Sequence, residues 1–263
     1  DLRDEENLIR LKKDGVDAVY LETPCNPTLE ILDIARIREC LGPEVKIVVD
    51  NTFATPMLQQ PLALGADFVV HSCTKYIGGH GDALGGIVIG RDKGFEAELR
   101  FGFMCEFGAV MSPFNAWLFN RGLKTLDYRM KGHCSNAMAI ARFLEGRKGV
   151  RRVFYPGLPS FPGHELAARQ MEDIGGMLAF EVEGSEEQSI QVVERLELFK
   201  LAVSLGDVES LVEHPMRMTH RSYSEEERLA LGIDKSLIRL SVGLEHIDDI
   251  LADLDQTLDK AAV

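Results

Sequence analysis

Phe68-Val69-Val70-His71-Ser72-Cys73-Thr74-Lys75 runs from an apolar strand through two hydroxyl residues to a lysine, and Gly78-Gly79-His80-Gly81-Asp82-Ala83-Leu84-Gly85-Gly86 follows. Just upstream, Lys46-Ile47-Val48-Val49-Asp50 is a second short apolar run, closed by an acid. Further upstream, Asp17-Ala18-Val19-Tyr20-Leu21-Glu22 reads as a strand stopped by Pro24. Helices separate these strands. Asn7 to Asp14 is expected to be helical up to Gly15, and Ile31, Ile34, Ile37 and Leu41 recur at helical spacing until Gly42-Pro43 breaks the pattern. With Gly86 to Gly90 as a further strand, the alternation calls for an α/β fold built on a parallel sheet covered on both faces. In such a sheet the ligand site lies beyond the carboxyl ends of the strands, where Glu22, Asn26, Asp50, Ser72, Thr74 and Lys75 fall.

Beyond Gly90 the pattern changes. Ser112-Pro113 puts a capping hydroxyl before a proline at the first helical position, and a second domain is expected to begin near it, dividing the chain into residues 1–120 and 121–263. Leu126, Met130, Ala137, Ile140, Ala141 and Leu144 keep helical spacing and predict a long bridging helix or a broken pair. A smaller α/β unit should follow, with strands at 151–155, 177–183, 200–205 and 237–244 and helices near 186–196 and 247–258. The cluster Phe101, Phe103, Phe107 and Phe114 reads as core or as a subunit contact.

Composition narrows the function. A net charge of −13 argues against nucleic acid or anionic membrane as partner, because a phosphate-tracking surface needs clustered lysine and arginine. The five cysteines include no Cys-x-x-Cys pair, so neither a disulfide framework nor a zinc site is expected, and a reduced, cytoplasmic setting follows. The histidine spacings match no metal pattern, and no metal is expected. No apolar run approaches membrane-spanning length. The glycine stretch after Lys75 matches neither a Walker pattern nor a dinucleotide fingerprint.

Lys75 and Asp50 together carry a recognisable chemistry. A lysine that forms a Schiff base to a cofactor works best on an electron-poor ring, and a carboxylate facing the ring nitrogen keeps that nitrogen protonated. Pyridoxal phosphate is the cofactor that needs this pair. The stretch from Val48 to Gly90 resembles the cysteine/methionine-metabolism family of pyridoxal phosphate enzymes. The resemblance extends from Glu22-Thr23-Pro24-Cys25-Asn26-Pro27, through Ser204-Leu205-Gly206-Asp207 and Met218-Thr219-His220, to Ile238-Arg239-Leu240-Ser241-Val242-Gly243. Blocks in family order with comparable spacing are far more specific than any single motif.

The resemblance implies an aspartate-aminotransferase-like, type I fold with an incomplete large-domain sheet, and a segment before Asp1 carrying further strands, a stacking tyrosine and a phosphate loop. It implies Lys75 as the catalytic lysine, Asp50 at the ring nitrogen, Ser72 and Thr74 at the phosphate, and Asn26 near the ring oxygen and the substrate. Arg239, whose strand alternates apolar and non-apolar residues, is expected to turn away from the core and grip the substrate α-carboxylate, with Ser204 beside it. Glu22 lies next to this site without an assigned role. The expected reaction is α,γ-elimination on L-methionine, giving methanethiol, 2-oxobutanoate and ammonia. Elimination from cystathionine and γ-synthesis or sulfhydrylation on a homoserine ester use the same residues and stay open, as does a non-catalytic fragment. The expected assembly is a homotetramer acting on a small sulfur amino acid, with residues 1–263 inactive when alone.

Overall fold

The computed structural model describes residues 1–260. Its first sheet contains β1 (Ala18–Glu22), β2 (Lys46–Asp50), β3 (Phe68–Ser72) and β4 (Gly86–Gly90), in that spatial order. β1, β2 and β3 are parallel, with Glu22 level with Asp50 and Asp50 level with Val70. β4 instead runs antiparallel to β3 and returns Gly86 to the side of Ser72. The wholly parallel sheet expected from the alternation is thus corrected at its last strand. Thr74 is hydrogen-bonded to Gly85 through both its backbone N–H and its hydroxyl. That closure folds residues 73–85 into a compact loop, so no crossover helix forms and the chain must come back antiparallel. Nor is the sheet covered throughout, since β4 is exposed along its whole length.

The covered part is built by simple alternation. Val19 and Leu21 of β1 and Ile47 and Val49 of β2 point into a core closed by α1 (Glu5–Lys13) and α2 (Ile34–Leu41). Helix α2 starts later than the apolar spacing suggested, because Asp33 caps it by accepting the Arg36 N–H and leaves Ile31 in the preceding loop.

Ser112 accepts the Asn115 N–H and caps α3 (Pro113–Leu123), as its pairing with Pro113 predicts. Helix α4 (Leu126–Leu144) buries all six of the residues that define its spacing. Behind it stands a second sheet of five strands. These are β5 (Val150–Phe154), β6 (Met177–Val182), β7 (Lys200–Leu201), β8 (Leu211–Glu213) and β9 (Leu237–Ser241), ordered β5-β6-β9-β8-β7. Helices α5 (His164–Gln170), α6 (Glu186–Arg195), α7 (Glu225–Ala230) and α8 (Ile247–Lys260) complete this half.

Two strand expectations change for one reason. The segment 200–205 ladders only at its start, because the carbonyls of Val203 and Ser204 accept from the Arg239 guanidinium instead of a neighbouring strand. The short β8, unforeseen in the sequence, takes the place beside β9. The phenylalanine cluster is not core: Phe101, Phe103, Phe107 and Phe114 are all exposed, Phe107 at 81%. Among the described residues no helix is long and apolar enough to cross a membrane.

Candidate active site

Lys75 stands just past the end of β3 in a wide turn, Cys73–Ile77, in which the Gly78 N–H reaches back to the Cys73 carbonyl at 2.8 Å. At Lys75 itself the backbone leaves helical geometry (φ −88°, ψ −135°). Its Nζ lies 3.2 Å from Ser204 Oγ. Burial, then the positive charge of Arg239, hold the amine below the usual lysine range, while Asp207 and Glu213 pull the other way. An amine so placed is more easily neutral, and a neutral amine can accept a proton.

Ser204 reaches Lys75 because residues 203–208 are pressed onto the lysine turn. Gly206 makes this approach possible: it adopts φ +81°, and a Cβ there would lie 2.6 Å from the Tyr76 backbone nitrogen. Its N–H donates to Ser241 Oγ at 2.8 Å, and Val208 N–H donates to the Gly79 carbonyl at 3.0 Å.

Arg239 departs from expectation. The alternation of β9 suggested a side chain turned away from the core, yet both faces of the strand are covered and Arg239 is 2% exposed. Its Nη1 donates to Asn26 Oδ1 at 3.0 Å and pairs with Glu213 Oε1 at 3.1 Å. Its Nη2 donates to the carbonyls of Val203 (3.2 Å) and Ser204 (3.0 Å), while Nε is buried without a partner. Glu213 is fully buried and also accepts from Thr219 Oγ1 at 3.0 Å. Sequence reasoning missed Glu213, because it becomes Arg239's partner only through the β8–β9 register that sets the two side by side.

Asp50 ends β2 with both carboxylate oxygens engaged. Oδ1 accepts the Thr52 N–H and Oδ2 accepts the Tyr20 hydroxyl, each at 3.0 Å. It therefore fills the turn position and still stands at the strand end that the cofactor chemistry requires. Glu22, level with it on β1, is pushed up to about 7 by burial and by the Asp50 charge. His71 is buried with Nδ1 unpartnered, and burial lowers its pKa. Tyr20 was another omission; its position two residues before Glu22, on the same face of β1 and diagonal to Asp50, was the available signal.

The two hydroxyls differ. Ser72 uses its backbone N–H on Thr52 Oγ1 (2.9 Å), leaving its side chain uncommitted among the described residues. Thr74 spends its hydroxyl on Gly85, accepting at 3.0 Å and donating at 3.3 Å. It borders a cleft shared with Gly81, Asp82, Asn115, Ser204 and Asp207. Burial raises the Asp207 carboxyl, whose Oδ1 is enclosed without a partner.

This set fits pyridoxal phosphate. An amine just past the end of β3 and a carboxylate on the last residue of the parallel neighbour β2 stand at the same end of the sheet, and His71 Nδ1, Asp207 Oδ1 and Arg239 Nε are enclosed polar atoms without partners among the described residues.

Comparison with known proteins agrees. Residues 1–259 match the family described as Cys/Met metabolism PLP-dependent enzyme. The chain is 49% identical to an L-methionine gamma-lyase of Treponema denticola, covering 99% of this chain and 66% of that protein. It is equally 49% identical to a cystathionine beta-lyase of Lactococcus lactis subsp. cremoris, over 99% of this chain and 69% of the relative. The crystal structure of a cystathionine gamma synthase from Xanthomonas oryzae pv. oryzae, solved with aminoacrylate and cysteine, superposes with a TM-score of 0.96 at 45% identity, covering 100% of this chain and 68% of that one. The chain thus spans about two thirds of the length of the relatives it matches. Its two α/β sheets follow the aspartate-aminotransferase-like, type I pyridoxal phosphate fold. With the lysine, the strand-end acid and the buried arginine arranged on that fold, the chain belongs to the Cys/Met-metabolism family of pyridoxal phosphate-dependent enzymes.

Proposed function

We propose that the full-length protein is a carbon–sulfur lyase that splits L-methionine and water into methanethiol, 2-oxobutanoate and ammonia. The observation that carries this reading is the convergence of Lys75 Nζ on Ser204 Oγ with the Arg239 guanidinium immediately behind. It sets a proton-accepting amine beside a cation able to hold an amino-acid carboxylate. The similarity to the Treponema lyase supports methionine as the substrate.

Pyridoxal phosphate, when bound, supplies an electron sink that makes a C–H bond beside the substrate amino group acidic. Asp50 would hold a proton at the ring nitrogen, Ser72 would donate its hydroxyl to the phosphate, Thr74 would do so by turning its proton away from the Gly85 carbonyl, and Asn26 would orient the ring oxygen and the substrate. Lys75 Nζ would first anchor the cofactor and then carry the proton between carbons. Arg239 would offer its free Nε–H to the substrate carboxylate and exchange one contact of Nη2, which shares an edge with Nε, most simply the longer one to the Val203 carbonyl, to complete a two-point grip.

A second reading, elimination from or synthesis of cystathionine, is supported by the cystathionine-named relatives of equal or near-equal identity. The exposed apolar residues Ile87, Val88 and Phe107 support a homotetramer, and free cysteines support a cytoplasmic setting. Borohydride reduction of the full-length holoprotein and peptide mapping should find the cofactor on Lys75. Incubation with methionine should release equal amounts of methanethiol and 2-oxobutanoate. Label on another lysine would end the site assignment, and release of 2-oxobutanoate from cystathionine but not methionine would favour the second reading.

A further inference from the structure

Arg129, on α4, is 6% exposed, and its guanidinium meets no carboxylate among the described residues. Every hydrogen bond it makes is to backbone carbonyls or to one hydroxyl. Nη1 donates to the Tyr76 carbonyl at 2.6 Å; Nη2 donates to the carbonyls of Ile77 (3.3 Å) and Gly122 (2.9 Å); Nε donates to Thr125 Oγ1 at 3.1 Å. The two carbonyls at 76 and 77 directly follow Lys75.

Those carbonyls have a physical need. Had the Cys73–Ile77 turn continued as a helix, N–H groups one turn later would have satisfied them, but Gly79 turns the chain away at φ +72°. The backbone has been cleared for the guanidinium to reach them. A Cβ on Gly79 would lie 2.3 Å from Arg129 Nη1, and a Cβ on Gly122 would lie 2.4 Å from the Ile77 carbonyl oxygen. A planar fork can hold several carbonyls in fixed relative orientation, which a single ammonium cannot.

We infer that Arg129 is a positioning residue for Lys75: by capping the carbonyls of Tyr76 and Ile77 it fixes the peptide planes that follow the lysine, and with them the direction in which the amine leaves the backbone toward Ser204. The inference rests on the proposed role of Lys75. The amine is then held among Arg239 from β9, Glu213 from β8, and Ser204 and Asp207 from the 203–208 segment. Loosening the cap lets the amine swing out of this group toward water.

The test uses full-length protein carrying Arg129→Lys and, separately, the milder Thr125→Val, which removes only the hydroxyl that steadies Nε. The pH midpoint of Lys75 acetylation is read by mass spectrometry on cofactor-free protein, with the exposed Lys93 as internal reference. Pyridoxal phosphate affinity and thermal melting are measured alongside. In Arg129→Lys the Lys75 midpoint should rise by about one pH unit, as expected for an amine regaining solvent, while Lys93 stays put. Affinity for the cofactor should fall at least about tenfold, a modest fraction of what buried charge-assisted contacts contribute. Thr125→Val should move both in the same direction by less. A cooperatively melting Arg129→Lys with unchanged midpoint and affinity overturns the inference; if that variant fails to fold, an unchanged Thr125→Val does so. Cofactor mapped to Lys75 in the wild type together with unshifted variants sinks the inference alone. Cofactor mapped elsewhere sinks the functional reading and the inference with it.

Discussion

At the residue scale, the site is a set of buried charges whose partners decide what each can do. Glu22 is the clearest case, because burial and the Asp50 charge raise its carboxyl from 4.5 to about 7. The folded protein therefore holds a proton between these values that the unfolded chain has lost. The contribution of Glu22 is most favourable below about pH 4.5 and declines as pH rises toward 7. Glu22→Gln, which mimics the protonated acid, should gain stability relative to the wild type as pH is raised from 5 to 8; melting curves across that range check it, and a pH-independent difference would contradict it. Arg239 and Glu213 form a second case. Arg239→Leu should lower kcat/KM for an amino-acid substrate roughly ten- to a hundredfold through the lost carboxylate contact, with a smaller effect on cofactor affinity. It should also destabilise the fold by about 3–5 kcal/mol, because Glu213 would be left buried and unpaired. Glu213→Gln keeps both contact geometries and should melt closer to the wild type; the two melting temperatures, read together, test the pairing.

At the element scale, the lysine turn depends on how closely the 203–208 segment can lie over it. Gly206 and Gly146 both have positive φ, +81° and +76°, but only Gly206 faces backbone at contact distance, and nothing lies within 4 Å of a Cβ at Gly146. Gly146→Ala should cost about 1 kcal/mol, the left-handed penalty alone. Gly206→Ala should cost roughly twice that or more, since the Tyr76 backbone nitrogen cannot move aside as a flexible side chain would. Urea titration of both variants checks the order, and equal costs would show that the segment is not tightly seated. The same segment explains a misreading of the sequence. Residues 200–205 have the apolar content of a strand, yet their later carbonyls are claimed by Arg239 on β9, a partner far away in sequence.

At the scale of the whole molecule, the first sheet has β1 and β4 as its outer strands, and β4 carries exposed Ile87, Val88 and Ile89. An apolar outer strand is a surface that calls for cover. Residues 1–263 expressed alone and supplied with pyridoxal phosphate are expected to release no 2-oxobutanoate from methionine and to hold the cofactor weakly. Turnover near that of the full-length protein would overturn this expectation.

Local signals in the sequence were enough to place β2, β3 and β4, the capped start at Ser112, the long helix through Leu126 and the lysine-bearing turn, because strand alternation, helical spacing and capping act over a few residues. They were also enough to single out Lys75 and Asp50 as candidates, since a strand end exposes whatever residue follows it. Tertiary structure alone decided the rest. The direction of β4 follows from the closure of Thr74 on Gly85, eleven residues away. The burial of Arg239 and its union with Glu213, Asn26 and Ser204 require strands and loops separated by up to 213 positions to meet. The Arg129 cap on the carbonyls after Lys75 likewise joins residues more than fifty apart. Such contacts are determined by packing and register, and a polar residue's partner across that distance has no local trace for a sequence pattern to carry.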